Sequence, residues 1–301
     1  MKKRNSFLLA AIFVAVTLLF SCKSTPESVA VDPITLIDRD AALYLFIPVQ
    51  SHLPLIQTAL VSLSGMDEKD AERIASRTET IYIAEESTKN RQIFQLSAKG
   101  SYPQLIAKMA LTQKNGWTAQ VADGLSVPYT YYKNPQSQIQ LSLPSSANAI
   151  VSYSIEPQLA QYDAEAKAKT DALVEGTSYG GLPADFDKTV YEFLTTGNPN
   201  EIRFYECKAD AFLQNMLGTN LKLPLKSVSG TLANSKAAGE YDGKLILEVT
   251  DATPAKMKAL IAGLKIALFP MPAKIQQTGS SRITITDISL SQKTLVSLIS
   301  Q

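Results

Sequence analysis

The spacing of apolar and polar positions divides most of the chain into short elements. Residues 42–49, ALYLFIPV, form an apolar run of strand length, and residues 52–63 and 67–77 then place apolar side chains at helical spacing. Two alternating runs follow at 80–84 and 92–98, and a helical pattern at 103–111. The same order returns later: a strand at 201–208 (EIRFYECK), a helical segment at 209–217, strands at 227–233 and 244–250, and a helix at 254–268. A constant offset of 151 residues sets Thr80-Ile81 on Thr231-Leu232, Leu96 on Leu247 and Pro103 on Pro254. Each proline falls near the first turn of its helix, where its missing N–H costs nothing. Residues 137–155 and 273–288 extend the match, each as a hairpin around Ser-Ser, with helical tails at 156–166 and 291–299.

These elements predict an α+β fold of two tandem duplicated units, each an antiparallel sheet with helices on one face. The first unit spans residues 31–166 and the second 200–301. Between them, residues 167–199 read as a linker punctuated by glycine and proline around one amphipathic helix. Asp185 is its expected N-cap, and Phe186, Val190, Phe193 and Leu194 share one face, to be docked on a unit or turned toward a membrane.

The N-terminus has a different character. Met1-Lys2-Lys3-Arg4 precedes a run at 7–20 that is apolar except for Thr17, which is short for a membrane span of about 20 residues. The junction Leu18-Leu19-Phe20-Ser21-Cys22 resembles the lipobox of bacterial lipoproteins. Phe20 is bulkier than the small residue usual there, a looseness similar to that of spirochaete and Bacteroidetes lipoproteins. The resemblance implies a signal peptide over residues 1–21, diacylglycerol on the Cys22 sulfur, and acylation of the new amino terminus, palmitate being the expected kind of chain. Residues 22–30, with the polar stretch 23–28 directly after the cysteine, are then a lipid tether, and the membrane is the first expected partner. Lys23 stands where enterobacterial lipoproteins retained at the inner membrane carry aspartate, which favours the outer membrane of the cell envelope, with the folded part periplasmic or extracellular.

Charge and cysteine content narrow the functions. Without residues 1–21 the chain carries 26 basic and 28 acidic residues, so it has no basic footprint for nucleic acid. With Cys22 acylated, Cys207 has no partner for an intramolecular disulfide. His52 is the one histidine, and any Ser-His-Asp or Cys-His arrangement would need it as base, yet no nucleophile turn such as G-x-S-x-G accompanies it. It is expected at a helix start or on the surface. No Cys/His cluster points to a metal, and no motif points to a cofactor. The acidic run at 65–73, GMDEKDAER, lacks the ladder of a calcium loop and suits the first turn of a helix. Residues 176–183, GTSYGGLP, lack the ending of a phosphate-binding loop.

Tyr129, Tyr131 and Tyr132 lie in an insertion that only the first unit has, and they are the candidate ligand-binding residues. Strand alternation would put Tyr129 and Tyr131 inward and Tyr132 outside. The expected function is that of a lipid-anchored binding or scaffold module without catalysis, whose ligand is a protein, glycan or lipid held in a cleft between the units. The alternative is a lipid-binding or membrane-inserting protein that uses its amphipathic helices. A hydrolase working through acids and hydroxyls is the third reading.

Overall fold

The computed structural model describes residues 29–64, 67–87, 92–209, 224–269 and 272–299. Its strands, in chain order, are β1 (Leu43–Pro48), β2 (Thr78–Ser87), β3 (Gln92–Gly100), β4 (Thr118–Ala122), β5 (Tyr129–Lys133), β6 (Gln140–Ser142), β7 (Asn148–Ser152), β8 (Ile202–Glu206), β9 (Leu225–Asn234), β10 (Glu240–Val249), β11 (Lys274–Gln277) and β12 (Arg282–Ser291). All join one antiparallel sheet in the order β11-β12-β10-β9-β8-β1-β2-β3-β7-β6-β5-β4.

The centre of that sheet is the pairing of β1 with β8, in which Leu43 lies opposite Glu206 and Phe46 opposite Arg203. Outward from this pair, β1-β2-β3-β7-β6 on one side and β8-β9-β10-β12-β11 on the other follow the same course, with β5 and β4 added to the first half. Ser145-Ser146 and Ser280-Ser281 lie in the turns that join β6 to β7 and β11 to β12. The cleft expected between two units is therefore replaced by a continuous sheet. Left apart, β1 and β8 would each expose a row of unpaired backbone groups, and pairing them satisfies both.

The helices are α1 (Leu53–Ser64), α2 (Glu68–Arg77), α3 (Gln104–Ala110), α4 (Glu156–Glu175), α5 (Lys188–Thr195), α6 (Pro254–Ala267) and α7 (Gln292–Ile299). On one face of the sheet, Ile47, Ile81, Leu96 and Val151 pack with Leu55 and Leu60 of α1, Ile74 of α2 and Val296 of α7. The same face of the second half carries Phe204, Leu245 and Leu247 beneath Met257, Leu260 and Leu264 of α6. The opposite face is also covered in the first half. Tyr44, Phe46 and Tyr82 lie under α5, while Tyr131 and Ile150 lie under α4 and the 3-10 turn Pro33–Leu36. The expectation of helices on one face alone is thus corrected, because large side chains alternate to both faces of β1, β2 and β5 and each face needs a cover.

Close packing in the second half depends on one small residue. Gly230 lies directly across from Phe204, and a Cβ there would come within 2.5 Å of the Phe204 ring and 2.8 Å of Leu245. Gly230→Val is expected to cost about 2 kcal/mol through overpacking, read as a lower urea midpoint. An unchanged midpoint would show that the ring has room to move.

Candidate functional site

Four helices bear on the membrane question, and each divides its apolar residues differently. In α6, Thr253 caps the N-terminus by accepting from the Lys256 N–H at 3.3 Å, and Pro254 opens the first turn. Its inner stripe of Met257, Leu260 and Leu264 is buried, whereas Ile266 is 78% exposed and Phe269, just past the helix, 87% exposed. Leu105 and Met109 of α3 are likewise in solvent. The tail expected to stop at residue 166 continues as α4 to Glu175. Leu159 and Tyr162 near its start are buried, while Leu173 and Val174 near its end are exposed.

The linker helix α5 takes the docked arrangement of the two expected for its stripe, and Phe186, Val190, Phe193 and Leu194 are not turned toward a membrane. Phe186, Val190 and Leu194 are buried against the sheet, and Phe193 packs edge-on to Tyr205 with ring centres 5.8 Å apart. Phe186 also meets Tyr44 at 5.6 Å. The stripe turns inward because Tyr44, Phe46 and Tyr82 offer an aromatic surface of matching size. Its N-cap is Asp187, which accepts from the Thr189 and Val190 N–H groups at 2.8 and 3.0 Å, while Asp185 takes a left-handed conformation two residues earlier.

Tyr131 and Tyr132 are placed in the core of the first half, and Tyr129 is half-buried at its margin. Tyr131 and Tyr132 are both buried, on opposite faces of β5, so Tyr132 is not outside as alternation suggested; the face it points to is covered by the packing around α1 and α2. Tyr131 donates its hydroxyl to Glu156 at 2.9 Å, and Tyr129 donates to Asp163 at 2.9 Å while its ring packs edge-on against Tyr162. Burial works against the Asp163 carboxylate, but the bonds from the Ser126 N–H and hydroxyl and from Tyr129 outweigh it and hold its pKa below the usual value. The tyrosines thereby fix α4 along β5.

His52 is fully buried rather than on the surface. Its Nε2–H donates to the Asn200 carbonyl at 2.9 Å, its Nδ1 meets the Asn234 side-chain oxygen at 3.2 Å, and Asn234 donates in turn to the Ser51 carbonyl at 2.7 Å. Residues from both halves are so joined at one end of β1. Cys207 is half-buried, and burial, with the charges of Glu206 and Asp187, pushes its thiol up to about 11, so it stays protonated at neutral pH. In the acidic run, Asp67 caps α2 by accepting from the Asp70 N–H at 2.9 Å. Among the described residues there is no group of three His, Cys, Asp or Glu placed to hold a metal, and no helix is long and apolar enough to cross a membrane. Cys22, the signal peptide and most of the helical segment expected at 209–217 lie outside the described residues.

A sheet clad in amphipathic helices, some of whose apolar residues remain in water, behind a tether with a lipobox, defines the class: a lipid-anchored lipoprotein of the bacterial envelope. The model of one family, outer membrane-associated lipoprotein TP0453, matches residues 28–296, and the chain belongs to that family. Its place is accordingly at the outer membrane. The fold is similar to solved structures of TP0453. Crystal form III matches with a TM-score of 0.65 at 22% identity over 90% of this chain and 98% of that one. Crystal form I matches with a TM-score of 0.62 at 23% identity over 91% and 98%. No curated protein matches the chain.

Proposed function

We propose that this lipoprotein acts without catalysis, by laying apolar helix surfaces against the leaflet to which its lipid holds it. The observation that carries this reading is the state of α3, α4 and α6. The inner stripe of α6 and the first turns of α4 are fixed in the fold, and α3 is tied to the β6–β7 turn through Gln104, yet Leu105, Met109, Leu173, Val174, Ile266 and Phe269 stay in solvent at exposures of 56 to 87%. Apolar side chains gathered on helices beside a bilayer gain by entering its acyl boundary. The three helices also carry Lys108, Lys167, Lys169, Lys256, Lys258 and Lys265, so charge can add to an apolar contact, and salt dependence separates the two. The matching course of the strands on either side of β1 and β8 supports reading the chain as two copies of one unit, with the β4–β5 hairpin as the addition to the first.

The mature chain with Cys22→Ser, which has no lipid, is expected to float with phosphatidylethanolamine–phosphatidylglycerol vesicles at both low and high salt. Flotation lost at high salt would mean charge alone holds it. Protein that stays at the bottom in both would leave Cys22 as the sole membrane contact and favour the scaffold reading.

A further inference from the structure

One end of the sheet gathers the outlet of the tether and a set of exposed apolar side chains. It is the end at which β6 finishes and β7 starts. From Asp38, whose N–H donates to Gln95 on β3, the chain runs back toward its N-terminus along the sheet to Val31. There Val31 exchanges two hydrogen bonds with the Asn148 side chain, at 3.0 and 2.9 Å. Tyr162 then donates to the Val29 carbonyl at 3.3 Å, and Lys169 to that of Ala30. The first described residues are thus pinned beside α4.

The register of β5 and α4 shows how far this end projects. Tyr131 pairs with Ser142, the last residue of β6, so Tyr129 and the β4–β5 turn already lie beyond β6. Glu156 sits at Tyr131 and Asp163 at Tyr129 and Ser126, so α4 climbs in the same direction. Residues 164–175 continue past the hairpin for about 18 Å, at 1.5 Å per residue. Leu173 is 68% and Val174 84% exposed at this tip, and Val127 of the hairpin turn is 51% exposed. The start of α3 leans on the same β6–β7 turn, with the Tyr102 N–H donating to Ser146 and Gln104 to Leu143, and Leu105 beside it is 69% exposed.

We infer that this end meets the membrane: Leu105, Val127, Leu173 and Val174 enter the leaflet that holds the acyl chains of Cys22. Cys22 precedes Val29 by seven residues, a chain of at most about 24 Å. That reach is comparable to the projection of α4, so the anchor and the apolar tip arrive at one surface together. The inference rests on the membrane-contact reading and on acylation of Cys22, and adds the direction in which the molecule stands. Ile266 and Phe269, on the other half of the sheet, serve as the comparison.

The test uses the full acylated protein in a Cys207→Ser background, with an environment-sensitive fluorophore attached at Leu105→Cys, Val174→Cys or Phe269→Cys. Vesicles of phosphatidylethanolamine and phosphatidylglycerol contain bromine-labelled lipid as quencher. Blue-shifted, quenched emission at positions 105 and 174 is the expected result, whatever position 269 reports. Aqueous emission at 105 and 174 with quenching at 269 would overturn the orientation and leave membrane contact standing. Aqueous emission at all three would overturn both. In the Cys22→Ser chain, Leu173→Asp with Val174→Asp is expected to weaken vesicle partitioning about tenfold, from the loss of two apolar insertions. Unchanged partitioning in a variant of unchanged unfolding midpoint would count against the tip.

Discussion

Arg203→Ala is expected to lower the unfolding free energy by about 3–4 kcal/mol, through lost packing together with stranded backbone acceptors. The side chain is only 3% exposed, on β8 at the centre of the sheet, with its guanidinium 4.5 Å over the Phe46 ring. One nitrogen donates to the Leu194 carbonyl at the end of α5, and another to the Asn198 carbonyl at 2.9 Å. A cation at a helix C-terminus also complements the helix dipole. Truncation would leave both carbonyls without this donor and a space beneath the ring. Arg203→Met, which keeps volume and loses the donors, should fall between the parent and alanine. Urea unfolding gives the free energies, and hydrogen exchange should show the α5 amides losing protection before those of β1. An alanine variant as stable as the parent would mean that α5 is held by its apolar stripe alone.

The inner structure of each half was legible because alternation, proline position and Ser-Ser turns are local signals. Pro254 opens α6, and residues 80–84 and 92–98 lie inside β2 and β3 as the spacing indicated. What joins the halves was not. Nothing local in ALYLFIPV says that its partner is EIRFYECK, because the pairing of β1 with β8 is decided by which edges would otherwise stay unsatisfied. His52 has the same difficulty, since Asn200 and Asn234 lie 148 and 182 residues away and only the folded sheet brings them to its ring. Asp187 took the capping role from Asp185 by two residues, a shift of the size at which helix ends are usually misread. The long α4 could have been found. Residues 164–175, AEAKAKTDALVE, have no clear stripe but are rich in alanine, lysine and glutamate, so propensity carries a helix where periodicity gives no sign. Leu173 and Val174 stood inside a presumed linker for that reason.

Two buried groups should give the stability a dependence on pH with opposing slopes. Glu206 is 7% exposed, and burial, reinforced by the charges of Glu85 and Glu86, raises its carboxyl from 4.5 to about 7 against the opposing Lys208 N–H and ammonium. The folded state therefore keeps a proton that the unfolded chain releases. Its contribution is fully present below pH 4.5, is lost as pH rises to about 7 and is constant above, a change of about 3 kcal/mol. His52 works the other way. Burial lowers its pKa below 6.5 despite the bonds to Asn200 and Asn234, so the unfolded chain binds the proton more readily and stability falls as pH drops below 6.5. Glu206→Gln isolates the first slope, because it keeps the shape and removes the charge. That variant should match the parent near pH 4 and exceed it above pH 7 by up to about 3 kcal/mol. In chemical denaturation across this range, an advantage of equal size at both ends would mean that Glu206 does not titrate. His52→Gln should flatten the acid side alone. With both replaced, the stability should lose the two opposing contributions that these groups give it, the rise in acid from Glu206 and the fall in acid from His52.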